Sequence, residues 1–176
     1  MKTIWKTPFH IDVFNVNHNG VADFKTYFNL MQESALKHAH HLGFGSSDLL
    51  EKNLLWVVTR FELHTFSTLR WDDEVMVTTW SRGLIGPYAF RDFSIARIIN
   101  DKETEVVAKA SSSWIPIDIE KRKSVILKSD ELHAGTSHHE DVGIEPRKIL
   151  YRSEAADYKS NLSVKNSDLD INRSEE

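Results

Sequence analysis

The chain contains no cysteine. That absence excludes disulfides, thiolate metal sites and a cysteine nucleophile together. Long apolar runs are missing too: the longest, Leu54–Val58, falls far short of the roughly 20 residues that a membrane-spanning helix needs. The opening residues, MKTIWKTPFHID, carry lysines but no continuous apolar core, so they do not read as a signal peptide. Excess positive charge is also lacking. The net charge of −4 argues against bulk nucleic-acid binding and leaves any acidic partner to find a local basic patch. The remainder, 40% hydrophobic and 27% charged over 176 residues, has the balance of one soluble globular domain with chain to spare, expected in the cytoplasm.

The strongest periodic signal runs from Asp23 to Leu42. Phe24, Tyr27, Phe28, Met31, Ala35, Ala39 and Leu42 recur at helical spacing and form one apolar stripe. Lys25, Asn29, Glu33, Lys37 and His40 fill the opposite side. Asn19-Gly20 supplies a turn before the helix, Asp23 a cap, and Gly43 and Gly45 a stop. A short helical turn is expected within Ser46–Asn53. The other segments read as strands: Ile4–Val16, Leu55–Phe66, Glu74–Arg82, Tyr88–Ile99 and Glu105–Ile117. In Leu55–Phe66, Val57, Phe61 and Leu63 share one parity and Arg60, Glu62 and His64 the other, the mark of one buried face. Gly83–Pro87 is expected to break the strand before it. The sum is an α+β fold, one long helix laid on a mainly antiparallel sheet.

Composition changes after Asp118. Residues 1–128 are assigned to one domain and 129–160, polar and histidine-rich, to a linker in which Ile144–Leu150 is able to pack back. Residues 161–176 read as the start of a second unit, because Ser167–Asn172 echoes Phe14–Asn19.

Several segments carry a resemblance: MQESA (Met31–Ala35), LLWVVTRFELHTF (Leu54–Phe66), RWDDEVMVTTW (Arg70–Trp80), RDFSI (Arg91–Ile95), SSSWIPIDIEKRK (Ser111–Lys123), IEPRKI (Ile144–Ile149) and SDLDIN (Ser167–Asn172). In this order they resemble the acyl-acyl-carrier-protein thioesterases of plants and bacteria. The resemblance implies two tandem hotdog folds, each an antiparallel sheet wrapped around one long central helix. It also implies the catalytic residues Asp170 and Asn172, the first to activate water and the second to hold it. The family motif continues to a histidine, but Arg173 and Ser174 follow here, so the chain is expected to be incomplete and by itself weakly active or inactive. Asp12, His18 and Glu33 are the fallback candidates.

The first hotdog is expected to hold the fatty chain. The resemblance implies a tunnel between the helix stripe (Phe28, Met31, Ala35, Leu42) and Trp56, Val58, Met76 and Trp80 on the sheet. The partner implied is acyl-carrier protein with its fatty-acyl thioester. Docking would use Lys121-Arg122-Lys123 and Arg147-Lys148. No cofactor and no metal are implied, and His38, His40 and His41 read as a histidine-rich helix surface. Self-association through the sheet or an exposed interface is expected. The alternative function is a non-catalytic hotdog module that binds acyl chains or carrier protein, or dimerises.

Overall fold

The computed structural model describes residues 3–100, 103–127 and 140–148. Strand β1 (Ile4–His10) is followed by a 3-10 turn (Val13–Asn15) and helix α1 (Phe24–His41). A short helix α2 (Ser46–Leu50) leads into β2 (Leu54–Thr65), β3 (Glu74–Ile85), β4 (Tyr88–Asn100), β5 (Glu103–Asp118) and a two-residue β6 (Lys123–Ser124). The sheet order is β1-β3-β4-β5-β2 and every pairing is antiparallel; β6 pairs β5 where β5 runs past the start of β4. One long helix lies in the curl of one antiparallel sheet, which is the hotdog arrangement.

α1 begins where the Asp23 side chain accepts a hydrogen bond from the Thr26 amide at 2.9 Å, relieving one of the unpaired amides of the first turn. Its buried face is Thr26, Tyr27, Leu30, Met31, Ser34, Ala35 and His38. The expected stripe is therefore rotated slightly. Phe24 is 62% exposed, while Leu30 and His38 turn inward. The helix stops at Leu42, and the Gly45 cap of α2 passes so close that a Cβ on it would lie 2.9 Å from His40 Cα.

The core forms where this face meets the inward side of the strands. Val75 and Val77 of β3, Phe93 and Ile95 of β4, and Ala108 and Ala110 of β5 pack with Tyr27, Leu30 and Met31. Full burial of a side chain the size of Phe93 is worth about 1.5–3 kcal/mol. The Tyr27 hydroxyl accepts from the Leu69 amide at 2.9 Å, so that polar tip stays satisfied inside.

Three expectations at element level are corrected. The first strand ends at His10, because Asp12 caps the 3-10 turn by accepting from the Phe14 amide. β3 continues through Gly83, where a register shift follows Ser81, and reverses only at Gly86-Pro87 between the paired Ile85 and Tyr88. Gly86 has φ +61°, the left-handed conformation that a tight hairpin demands at its first turn position. In β2 the register shifts between Val58 and Arg60. The extra residue, Thr59, is tied to the Ser113 carbonyl at 3.0 Å and the Ser113 hydroxyl at 2.8 Å. A one-residue bulge swaps the faces of everything beyond it. Leu54 and Trp56 therefore share a face with Phe61 and Leu63, which the alternation alone assigned to Val57.

The outer face of the sheet is also partly covered. Residues 140–148 lie across it and bury Ile144. The Trp80 indole donates to the Glu140 carbonyl at 2.7 Å, and Arg82 pairs with Glu145 at 2.6 Å.

Candidate functional site

Between the C-terminal half of α1 and the sheet lies a cavity of about 70 Å³, several times what one water molecule needs. α1 lines it with Gln32, Ala35, Leu36, Ala39 and Leu42, and Phe44 follows just after the helix. Trp56 of β2 and Trp114 of β5 close one wall, and the Trp56 indole is fixed by donating to the Phe44 carbonyl at 3.1 Å. Ser81, Ala89, Phe90 and Arg91 complete it. The helix contributes small side chains at Ala35 and Ala39, which is why space remains there.

Arg91 is the charged member of this wall. Its Nη1 donates to His38 Nδ1 at 2.9 Å and to Thr79 Oγ1 at 3.2 Å. An arginine cannot accept, so His38 Nδ1 is the unprotonated ring nitrogen in this bond. His38 is fully buried and its ring stacks on Trp5 at 6.0 Å. The expectation that His38 belongs to a histidine-rich surface is thus corrected: Trp5 and Arg91 enclose it, while His40 and His41 are exposed. Burial lowers the Arg91 pKa to about 10, so the guanidinium stays charged at neutral pH.

The residues expected to line a tunnel are distributed unevenly. Ala35, Leu42 and Trp56 meet at the cavity. Val58 pairs with Trp114 and shares the Trp56 face by register. Met31 is packed in the main core. Phe28 stacks edge-on against Phe61 at 5.2 Å, toward the other end of the helix. Met76 and Trp80 have the opposite parity to Val75, Val77 and Thr79, so they stand on the outer face of β3, away from α1. Sequence reasoning missed Trp114 and Arg91. A signal for Arg91 was present: it shares parity with Phe93 and Ile95, which places it on the inward face of β4.

Asp170 and Asn172 lie outside the described residues. Of the fallback groups, Asp12 caps the 3-10 turn, His18 is exposed, and Glu33 is ion-paired with Lys37 at 3.0 Å on the solvent side of α1. The Asn17 side chain accepts from the Asn19 amide at 2.9 Å and the Val21 amide at 3.3 Å, so the N-terminal copy of the motif builds a turn. Among the described residues, the lining of the cavity is mainly apolar, with Arg91 its charged member.

Against this geometry, comparison with known proteins is consistent. A profile of the acyl-ACP thioesterase N-terminal domain matches residues 2–153. A chloroplastic palmitoyl-acyl carrier protein thioesterase of Arabidopsis thaliana is 30% identical over 97% of this chain and 43% of its own length. A chloroplastic oleoyl-acyl carrier protein thioesterase from the same plant is 30% identical over 68% of this chain and 33% of its own. The chain thus spans less than half the length of these curated relatives. Among solved structures, an acyl-ACP thioesterase from Bacteroides thetaiotaomicron superposes with a TM-score of 0.77 at 24% identity, covering 97% of this chain and 67% of that one. The 12:0-ACP thioesterase from Umbellularia californica gives 0.75 at 24% identity, covering 98% and 70%. At that identity these two likenesses speak for the fold alone. No helix among the described residues is long and apolar enough to cross a membrane.

Proposed function

The chain belongs to the acyl-ACP thioesterase family, through its N-terminal domain, and on that premise we propose that it is the acyl-binding part of an enzyme that hydrolyses acyl-ACP to free fatty acid. The observation that carries the reading is the apolar cavity between α1 and the sheet, walled by Ala35, Leu42, Trp56 and Trp114. Each methylene moved from water into such a wall gains about 0.8 kcal/mol, so binding strengthens with chain length until the space is filled.

In hydrolysis, water adds to the thioester carbonyl, the oxygen carries the developing charge, and the carrier thiol leaves. Asp170 would take the proton from water and Asn172 would orient it. The partner is acyl-carrier protein, an acidic protein for which Lys121-Arg122-Lys123, where an exposed turn enters β6, and Arg147-Lys148 supply local positive charge. The location that goes with this reading is the cytoplasm. A second reading, a module that binds acyl chains or dimerises without chemistry, is favoured by Ser174, which stands where the family motif has histidine.

The test is hydrolysis of a long-chain acyl-ACP by the purified chain beside Asp170→Asn. A general base contributes about 10²–10⁴-fold, and a loss of at least the lower figure is expected in the variant. Equal activity in both would remove Asp170 from the mechanism. Acyl binding without hydrolysis in either protein would support the second reading.

A further inference from the structure

Three arginines of β3 and β4 are partnered differently. Arg82 pairs with Glu145 at 2.6 Å and lies 3.8 Å from Asp92. Arg97 pairs with Asp73 at 3.0 Å and also with Glu105. Arg91 meets only neutral acceptors, His38 Nδ1 and Thr79 Oγ1, both through Nη1. No carboxylate among the described residues forms an ion pair with it. Its other guanidinium nitrogens make no hydrogen bond among the described residues. Among the described residues lining the cavity, Arg91 is the only charged one. A cation removed from water ordinarily has an anion beside it. A bare hydrocarbon end placed there would leave this one uncompensated.

We infer that the cavity is also a site for free fatty acid, entering carboxylate-first to pair with the Arg91 guanidinium and so competing with the acyl chain of the thioester. The inference rests on the reading of the cavity as an acyl site. The chemistry fits the group: a planar guanidinium offers two parallel donors to a carboxylate, while the apolar wall takes the alkyl tail. The thioester has no such anion at either end of its chain. One residue thus separates product from substrate, and accumulating product would occupy the cavity and keep the acyl chain of the thioester out.

The experiment is calorimetric titration of the full 176-residue chain with dodecanoate and, separately, with 1-dodecanol, both below the concentration at which they aggregate. The readout is the ratio of the two affinities. Dodecanoate is expected to bind about tenfold tighter, the scale of a charge-assisted hydrogen bond, and Arg91→Leu is expected to bring the ratio near one. Arg91→Gln keeps a donor for His38 and Thr79 but no charge. It is expected to lose the preference as well, and it decides the matter if the leucine variant fails to fold. Arg91→Lys is expected to retain part of it. A ratio near one in the unsubstituted chain, or a preference that survives both neutral variants, overturns the inference. If dodecanol binds as well as dodecanoate, the acyl reading of the cavity stands and the inference alone falls. If neither binds, both fall.

Discussion

Arg91 and Asp92 are adjacent in the chain and face opposite ways, since successive side chains of a strand alternate between faces. Arg91 turns toward α1 and the cavity. Asp92 turns outward beneath residues 140–148, where it accepts from the Ser111 hydroxyl at 2.6 Å and the Val142 amide at 3.1 Å. Burial raises the Asp92 pKa, against the lowering effect of those hydrogen bonds and of Arg82. A raised carboxyl takes up its proton in the folded chain at a pH where the unfolded chain has already released it. Asp92 therefore contributes stability below about pH 4, its unfolded value, and that contribution is lost as pH rises through the higher folded value. Asp92→Asn cannot ionise and lacks this loss. Urea unfolding at about pH 4.5 and about pH 7 is expected to show the wild type losing stability relative to Asp92→Asn as pH rises. A wild type that gains on the variant toward neutral pH would show instead that Arg82 outweighs burial.

At the scale of the element, α1 depends on its first turn. Asp23 has an extended backbone and caps the Thr26 amide, and the Thr26 hydroxyl in turn bonds the Asn15 carbonyl. The cap thus joins helix to preceding turn and sets how the buried face meets β3. Replacement of such a cap by alanine costs about 1 kcal/mol. Asp23→Ala is expected to lower the free energy of unfolding by that amount with an unchanged denaturant slope. An effect within error of zero would mean that tertiary packing alone holds this end. The strands show the complementary behaviour. Their bulges, at Thr59 in β2 and Arg82 in β3, each exchange the inward and outward sides partway along. That is how Trp56 and Phe61, of unlike parity, both face the helix.

At the scale of the molecule, the described sheet has two edges. β1 has seven residues and carries Lys6 and Pro8, features that discourage pairing with another chain. β2 is a twelve-residue edge, and Phe14 stands 92% exposed before α1. A long edge strand and exposed aromatic surface favour association. Size-exclusion chromatography with light scattering at micromolar concentration is expected to give a dimer or larger species. A monodisperse monomer would count against pairing through β2.

The helix, the strand segments and the family were legible in the sequence, because helical period, alternation and the segments from MQESA to IEPRKI are local properties. Ala35 and Leu42 were legible for the same reason: helix register and apolar character suffice to aim them at the sheet. Only the tertiary structure decided which side of each strand faces the helix. Period-two reasoning does not register a one-residue bulge, and Trp80 is apolar on the outer face because residues 140–148 lie across the part of it that Trp80 shares with Asp92. His38 looked like one histidine among several on a polar surface, and its burial follows from Trp5 and Arg91, which are distant in the chain. The cavity itself is a difference between volumes contributed by α1 and four strands, and no single segment encodes a difference.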